Sequence, residues 1–297
     1  MNARAYEDTL ARVRSALAGE PGEPVIGVTF LAEEAVRSLA WGGATDAPLV
    51  TAVCSRLSPD FAFVESWTDG ACDVSESIAG CGTVPFWVVR GPLDAVARKQ
   101  GWSESLAATI RDPRSLAGAL DDAVDSARAA VREAAECGAG AVVIADDFAG
   151  ADGPLVAPDY ALAELMPRLW RIVSETAAVG LPAVWHSDGD TRVFLDAASR
   201  AGFAGVHPGG LGPEPFRRYL GQARADGLAV LGGVPGWALR AGVPSAIRSA
   251  TSAALIARSG GLLVCDDGGV STGEELGALV AALQAVAGDR PVLFPVH

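Results

Sequence analysis

The chain has 297 residues, 50% hydrophobic and 20% charged, enough for a large buried core and unlike a disordered segment. Its formal net charge of −13 lacks the electrostatic footprint of a nucleic-acid binder and argues against a polyanionic ligand unless a local basic pocket overrides it. The length accommodates two small domains or one α/β barrel of roughly 250 residues with extensions.

Met1 to Glu20 reads as a charged helix without a secretory apolar core. No stretch approaches the ~18 uninterrupted apolar residues of a membrane span, so no membrane association is expected. The cysteines, Cys54, Cys72, Cys81, Cys137 and Cys265, are odd in number and irregularly spaced, with no Cys-x-x-Cys. That pattern predicts reduced thiols and a cytoplasmic protein.

Eight short apolar runs then follow, rich in Val, Ile and Leu and without strict alternation, as strands buried on both faces should be. They are 24–30, 61–65, 85–90, 141–145, 182–186, 205–207, 229–232 and 261–265. Helical patterns lie between them. Residues 113–137 open on Asp112-Pro113, close on Gly138, and carry Leu116, Leu120, Val124 and Val131 at helical spacing. Residues 158–179, 214–225, 243–259 and 272–286 complete the helical series. No linker or low-complexity stretch interrupts the alternation. The expectation is therefore one α/β domain over 1–297, a single (β/α)8 TIM barrel with an N-terminal helical extension over 1–20.

In such a barrel the chemistry gathers at the carboxyl ends of the strands. The second run ends with Glu65, Trp67 and Asp69, and the third with Arg90-Gly-Pro. The fourth leads into Asp146-Asp147 and the fifth into His186-Ser-Asp188. The sixth ends at His207-Pro, the seventh leads to Trp237, and the eighth ends with Cys265-Asp266-Asp267. The chain has three histidines, and the third, His297, is terminal. Imidazole nitrogen, thiolate sulfur and carboxylate oxygen are common zinc ligands, and a three-ligand site leaves a fourth position for substrate. Without metal the same groups suit general acid/base work, with an Asp orienting the His. Structural readings stand beside these. His186 and His207 can be hydrogen-bonded core residues, Cys265 a small buried hydrophobe, and Asp146-Asp147 a helix cap.

Several segments together resemble the uroporphyrinogen decarboxylase superfamily, which includes corrinoid-dependent methyltransferases. They are Arg90-Gly-Pro-Leu93, Ala145-Asp-Asp-Phe-Ala-Gly150 with Gly153-Pro-Leu-Val-Ala-Pro158, and Pro182-Ala-Val-Trp-His-Ser-Asp-Gly189. Leu231-Gly-Gly-Val-Pro-Gly236 and Cys265 followed by Thr272-Gly-Glu-Glu-Leu276 complete the set. The resemblance runs from about Pro85 to the end and implies a (β/α)8 barrel. True decarboxylases carry an arginine-rich segment near the N-terminus; here the first strand leads into Leu31-Ala-Glu-Glu-Ala35, acids in place of arginines. The methyltransferase branch is the better match. Its thiol-acting members carry a zinc site resembling His-x-Cys with a distant Cys. His186 matches the first ligand and Cys265 the last, while Asp188 stands where the middle Cys would be.

The resemblance implies a zinc-dependent methyltransferase. It would move a methyl group between a small thiol, methyl ether or similar compound and a corrinoid carried by a partner protein, and dimers are common in the family. The implied metal ligands are His186, Cys265 and an acid, Asp188 or Asp147, with Glu164 a further acidic candidate. Asp146, Asp147 and His186 are the candidate catalytic groups; Glu65, Trp67, Arg90, Trp185, His207 and Trp237 are candidates for substrate contact. The alternatives are a cofactor-free decarboxylase of a tetrapyrrole, with Asp146 or Asp147 on the pyrrole N–H groups and Arg90 on a carboxylate, and a barrel that binds without catalysis.

Overall fold

The computed structural model describes residues 3–32, 49–150 and 153–287. Glu33, Glu34 and His297, singled out from the sequence, lie outside them. The strands are β1 (Gly27–Val28), β2 (Phe61–Glu65), β3 (Val84–Arg90), β4 (Ala141–Ala145), β5 (Ala183–Asp188), β6 (Gly205–Gly209), β7 (Ala229–Val234) and β8 (Leu262–Asp266). They form one eight-stranded sheet in sequence order. A parallel bridge between Ile26 and Val264 joins its first and last members. The fold class is the (β/α)8 barrel, with the expected N-terminal helix α1 (Ala3–Leu17) ahead of it.

The strand expectations differ from the structure mostly at their ends. The run over 24–30 contributes a two-residue ladder, flanked by isolated bridges at Ile26 and Leu31. β5 and β6 each continue two residues past the predicted end, to Asp188 and Gly209. Apolarity ends where water or a ligand begins, but the hydrogen-bond ladder does not. Asp188 therefore stands on a strand, not in a loop.

The helix predicted over 158–179 is not uniform. A turn at Pro158–Tyr160 passes through a π-helical segment, Ala161–Leu165, into a regular helix at Met166–Ala178. Pro167 has no N–H to donate back along the helix, and the ladder widens just before it. Six helices lay outside the sequence reading: Leu49–Leu57, Ala71–Gly80, Pro92–Gln100, Trp102–Arg111, Leu195–Arg200 and Gly236–Arg240.

The residues group into two compact units. The first comprises Met1–Val64, Thr68–Phe86 and Ala229–His297. Its core contains Phe30, Phe61, Phe63 and Phe86, with the Phe61 and Phe86 rings stacked at 4.7 Å. Buried carboxylates fix its backbone. Asp60 accepts the Ile26 N–H at 2.9 Å and pairs with Arg12, while Asp266 accepts the Thr29 N–H at 3.1 Å, the Thr29 hydroxyl and the Gly269 N–H at 2.9 Å. Thr272 and Glu275 exchange a reciprocal capping box where the last helix, Gly273–Ala287, begins.

The second unit comprises Glu65–Trp67 and Trp87–Leu228. Trp185, 1% exposed, packs against Phe148, Phe194 and Phe203 and donates its indole N–H to the Asp146 carbonyl at 3.0 Å. Ion pairs of Arg168 and Arg171 with Asp121, and of Arg128 and Arg132 with Glu175, tie the helices Ala117–Glu136 and Met166–Ala178 together.

One expectation is corrected outright. Cys54, Cys81 and Cys265 are free thiols, but Cys72 and Cys137 are each disulfide-bonded. Count and spacing do not report which sulfurs meet in the folded chain, so cysteine usage does not support a reducing compartment. Among the described residues, no helix is long and apolar enough to cross a membrane.

β1 and β2 pair with Gly27 opposite Phe61, and a methyl group on Gly27 would lie 2.2 Å from the Phe61 ring. Gly27→Ala is expected to cost about 1–3 kcal/mol through overpacking, read as a lower denaturation midpoint. An unchanged midpoint would contradict this strand packing.

Candidate metal centre

The site is built in the second unit, where β4, β5 and β6 end side by side. β4 pairs with β5 so that Ala145 faces His186, and β5 pairs with β6 so that His186 faces His207 and Asp188 faces Gly209. The ladder continues past β4, with Asp146 N–H donating to the His186 carbonyl at 2.9 Å. Next, the Asp188 N–H donates to Asp147 Oδ1 at 2.8 Å. The Phe148 N–H donates to Ser187 Oγ at 2.9 Å and pins the chain leaving the site.

Successive residues point to opposite sides of an extended chain. Asp146 and Asp147 consequently have different fates. Asp146 is fully buried, and its Oδ1 accepts the Asp94 N–H at 2.7 Å. It thereby caps the helix Pro92–Gln100, whose N-terminus lies against β4 through a Gly91 N–H to Ala145 carbonyl bond of 2.7 Å. Burial holds the Asp146 carboxyl well above the usual carboxylate range. The helix it supports precedes it in the chain, unlike the cap of a following segment that the sequence suggested. A methyl group on Gly91 would lie 2.2 Å from Asp146 Cβ, so the glycine makes room for it.

Asp147 stays half-exposed and turns the other way. Its carboxylate, His186 and Asp188 form a group whose ligand atoms lie within 4.8 Å of one another. His186 Nε2 is 3.9 Å from Asp188 Oδ1. The opposite ring nitrogen, Nδ1, is 2.9 Å from His207 Nδ1 and 3.2 Å from the His207 carbonyl oxygen. The His207 carbonyl can only accept, and a proton on His186 Nδ1 answers it and turns the Nε2 lone pair toward the acids, the tautomer a metal ligand needs. Burial pushes the His186 pKa down to about 4, which keeps the ring neutral and able to ligate.

The acids carry the opposite strain. Burial, then the neighbouring Asp188 and Asp94 charges against the Asp188 N–H bond, push Asp147 up to about 6. Burial also raises Asp188. A divalent cation would relieve both. Donor type and space fit such an ion. One imidazole and two carboxylates are legitimate zinc ligands, with bond lengths of about 2.0–2.2 Å, and three protein ligands leave a position open. Space for Asp188 exists because residue 209 is glycine. A methyl group there would lie 1.7 Å from Asp188 Oδ1. Gly209 sits in ordinary extended backbone, so its role is room and not flexibility.

The remaining expected residues are dispersed. Cys265 is buried in the first unit, is not one of the three clustered ligands, and has its thiol held protonated by burial and by the Asp266 and Asp267 charges. Glu164 is bound by Arg168 at 2.8 Å, an (i, i+4) ion pair, and is likewise not of the group. Trp185 faces the aromatic core, because the strand alternation that presents His186 turns Trp185 away. His207 is fully buried, so it orients His186 rather than touching substrate. Trp237 is 43% exposed in the first unit. Glu65, Trp67 and Arg90 do come together. The Arg90 guanidinium lies 3.7 Å over the Trp67 ring, and Glu65, raised by burial, is hydrogen-bonded by Trp67. Sequence reading missed Gly209, Gly91, Asp94 and Arg98. Of these only the (i, i+4) spacings of Arg90, Asp94 and Arg98 were visible in the chain.

No family model matches the chain, and no curated protein does. Among solved structures it is similar to a methyltransferase from Methanosarcina mazei, at 19% identity and a TM-score of 0.72, over 94% of this chain and 99% of that one. A D-psicose 3-epimerase from Clostridium cellulolyticum H10 matches at 10% identity and a TM-score of 0.50, covering 88% and 96% of the two chains. A xylose isomerase domain protein from Planctomyces limnophilus matches at 12% identity and a TM-score of 0.50, covering 89% and 97%. At these identities the likeness is one of fold.

Two outcomes follow from the geometry. Gly209→Ala must displace the Asp188 carboxylate, and zinc affinity, titrated against a chromophoric chelator, is expected to fall about 10–100-fold, the range seen when a ligand's support is lost. Affinity equal to wild type would remove Asp188 from the site. Second, a metal needs Asp147 as carboxylate, and Asp147 is protonated below about 6 while His186 stays neutral to about 4. Zinc affinity is therefore expected to drop as pH falls from 6 to 5, by about tenfold per unit for one displaced proton. Asp147→Asn should flatten the profile; a flat wild-type profile from pH 7 to 5 would exclude Asp147 as a ligand.

Proposed function

We propose that this protein is a zinc-dependent methyltransferase that exchanges a methyl group between a small thiol, methyl ether or similar compound and a corrinoid held by a partner protein. The observation that carries the reading is the neutral His186, with Nε2 turned toward Asp147 and Asp188 and all three ligand atoms within 4.8 Å. The similarity in fold to the Methanosarcina mazei methyltransferase supports it. So does the resemblance of the segments around Arg90, Asp146 and His186 to corrinoid-dependent methyltransferases.

His186, Asp147 and Asp188 would hold the metal, which supplies Lewis acidity to the heteroatom that gives or receives the methyl group. The chain's own contribution is positioning. His207 holds the His186 ring in place, Gly209 leaves the Asp188 carboxylate its place, and the Asp188 N–H holds Asp147. Trp67, 38% exposed beneath Arg90, offers a flat wall for a small substrate. The donor set departs from the thiolate-rich sites of the thiol-acting branch. Two carboxylates leave more positive charge on the ion than two thiolates do, which suits polarising an oxygen as well as ionising a thiol.

The test is elemental analysis of chain purified without added metal, beside His186→Ala, Asp188→Ala and Cys265→Ala. Near-stoichiometric zinc in the wild type, lost in the first two variants, is the expected result. Loss in Cys265→Ala would add the thiolate that the sequence resemblance implies. A wild type that stays metal-free after zinc is offered would end the zinc reading. Methyl transfer to or from a methylcorrinoid would then be the assay that decides whether any methyltransferase reading survives.

A further inference from the structure

We infer that the group Asp147, His186 and Asp188 is an oxygen-rich centre that takes a hard divalent ion such as Mn2+ as well as zinc, and that its substrate presents an oxygen donor, as an ether or alcohol does, and not a thiol sulfur. The inference rests on the reading of these residues as the metal centre, and it narrows the substrate class proposed above. The donor set is its starting point. Two of the three ligand atoms are carboxylate oxygens, the third is an imidazole nitrogen, and no cysteine belongs to the group. Thiolate ligands select soft partners, whereas carboxylate and water suit Mg, Ca and Mn. A substrate atom on the ion is one ligand more and follows the same preference. Two carboxylates leave the ion harder than thiolates do, and a hard ion favours oxygen.

The thiols of the chain are held away from this role. None of the free ones, Cys54, Cys81 and Cys265, is among the clustered ligands. Burial raises the Cys54 and Cys265 thiols, and a metal binds the thiolate, not the thiol. Residue 188 is where a sulfur could stand beside His186, because the two share one side of β5. It is an aspartate, and Gly209 leaves a space for its outer oxygen: a methyl group on Gly209 would lie 1.7 Å from Asp188 Oδ1. That space is shaped to a carboxylate. Access points the same way. All three ligands come from the ends of two adjacent strands, and the Asp188 side chain is 60% exposed. Ligands from one side, with Asp188 open to water, leave room for more than one further oxygen, as octahedral hard ions require. If donor type were incidental, exchanging one oxygen for sulfur would move every ion's affinity alike.

The experiment is a titration of the full chain, stripped of metal, with Mn2+ and with Zn2+, in wild type, Asp188→Cys and Cys265→Ala. Free Mn2+ is read from its electron paramagnetic resonance signal, and zinc from a chromophoric chelator. Wild type is expected to bind both ions stoichiometrically. Asp188→Cys should raise the zinc-to-manganese affinity ratio at least about tenfold, since losing only the support of a ligand already moves affinity that far. Cys265→Ala should leave the ratio unchanged. The substrate class is read on Co2+-loaded wild type, from the absorption of the bound ion, with acetohydroxamate as the oxygen donor and 2-mercaptoethanol as the sulfur donor. Acetohydroxamate is expected to perturb the spectrum at the lower concentration, and Asp188→Cys to shift the preference toward the thiol. Thermal melts check that the variants fold, and wild type alone can overturn the inference. Zinc bound without Mn2+, or the thiol preferred over acetohydroxamate, overturns it while leaving the zinc centre standing. A ratio unchanged in folded Asp188→Cys, or moved by Cys265→Ala, overturns it as well. Neither ion bound ends the reading of the centre and this inference with it.

Discussion

One contact organises the site. His186 Nδ1 lies 2.9 Å from His207 Nδ1 and 3.2 Å from the His207 carbonyl because parallel register sets His186 opposite His207, and a proton on Nδ1 answers that carbonyl and leaves the Nε2 lone pair facing the acids. An imidazole with its proton on the other nitrogen could not offer Nε2 to a metal, and a freely rotating one would present it only part of the time. Burial then keeps the ring neutral. Ligand readiness at His186 is therefore a property of strand pairing, fixed before any ion binds.

The carboxylates are arranged on the opposite principle. Asp147, half-buried, and Asp188, exposed, stand close enough that each raises the cost of ionising the other. Nothing in hydrophobic packing favours such a pair. Gly209 removes the side chain that would otherwise push Asp188 aside, and the Asp188 N–H steadies Asp147. Crowded acids beside a neutral imidazole form a site whose charge balance is incomplete without a cation. Asp146, one residue earlier, shows the contrasting case. Burial raises its pKa well above the usual carboxylate range, and its Oδ1 is spent on a helix N-terminus.

Much of this was legible in the chain, for identifiable reasons. Continuous apolar runs such as Ala141–Ala145 mark strands covered on both faces, and seven of the eight expected strands share most of their residues with the observed ones. His186 and Asp188 stood out because polar residues end such a run, and their (i, i+2) spacing places them on one side of a strand. The same period of two argued that Trp185 faces away, and Glu164 followed four residues on by Arg168 was a readable ion pair. Those two residues were chosen by type where spacing already spoke. Asp146 and Asp147 could not be ranked, because which of them turns inward depends on where the ladder to β5 ends. Gly209 was opaque for a different reason: its contribution is a void shaped for a residue 21 positions away. No pattern along the chain joins Asp94 to Asp146 either, since that contact arises from where a helix starts against a strand.

The fold does not choose the chemistry, since the similar structures include an epimerase and an isomerase domain as well as a methyltransferase. Charge narrows the choice. Asp147 and Asp188 together match a divalent ion, so the centre as a whole is close to neutral. Asp94 is shared by two guanidinium groups, and the Glu65 carboxylate lies within electrostatic reach of both, so the charges on that side of the second unit are matched within the chain itself. At Asp147 and Asp188 they are not, because the imidazole beside them is neutral and the raised pKa of Asp147 records the cost. The missing charge in the second unit is therefore a cation at the strand ends, which the net charge of −13 could not have located.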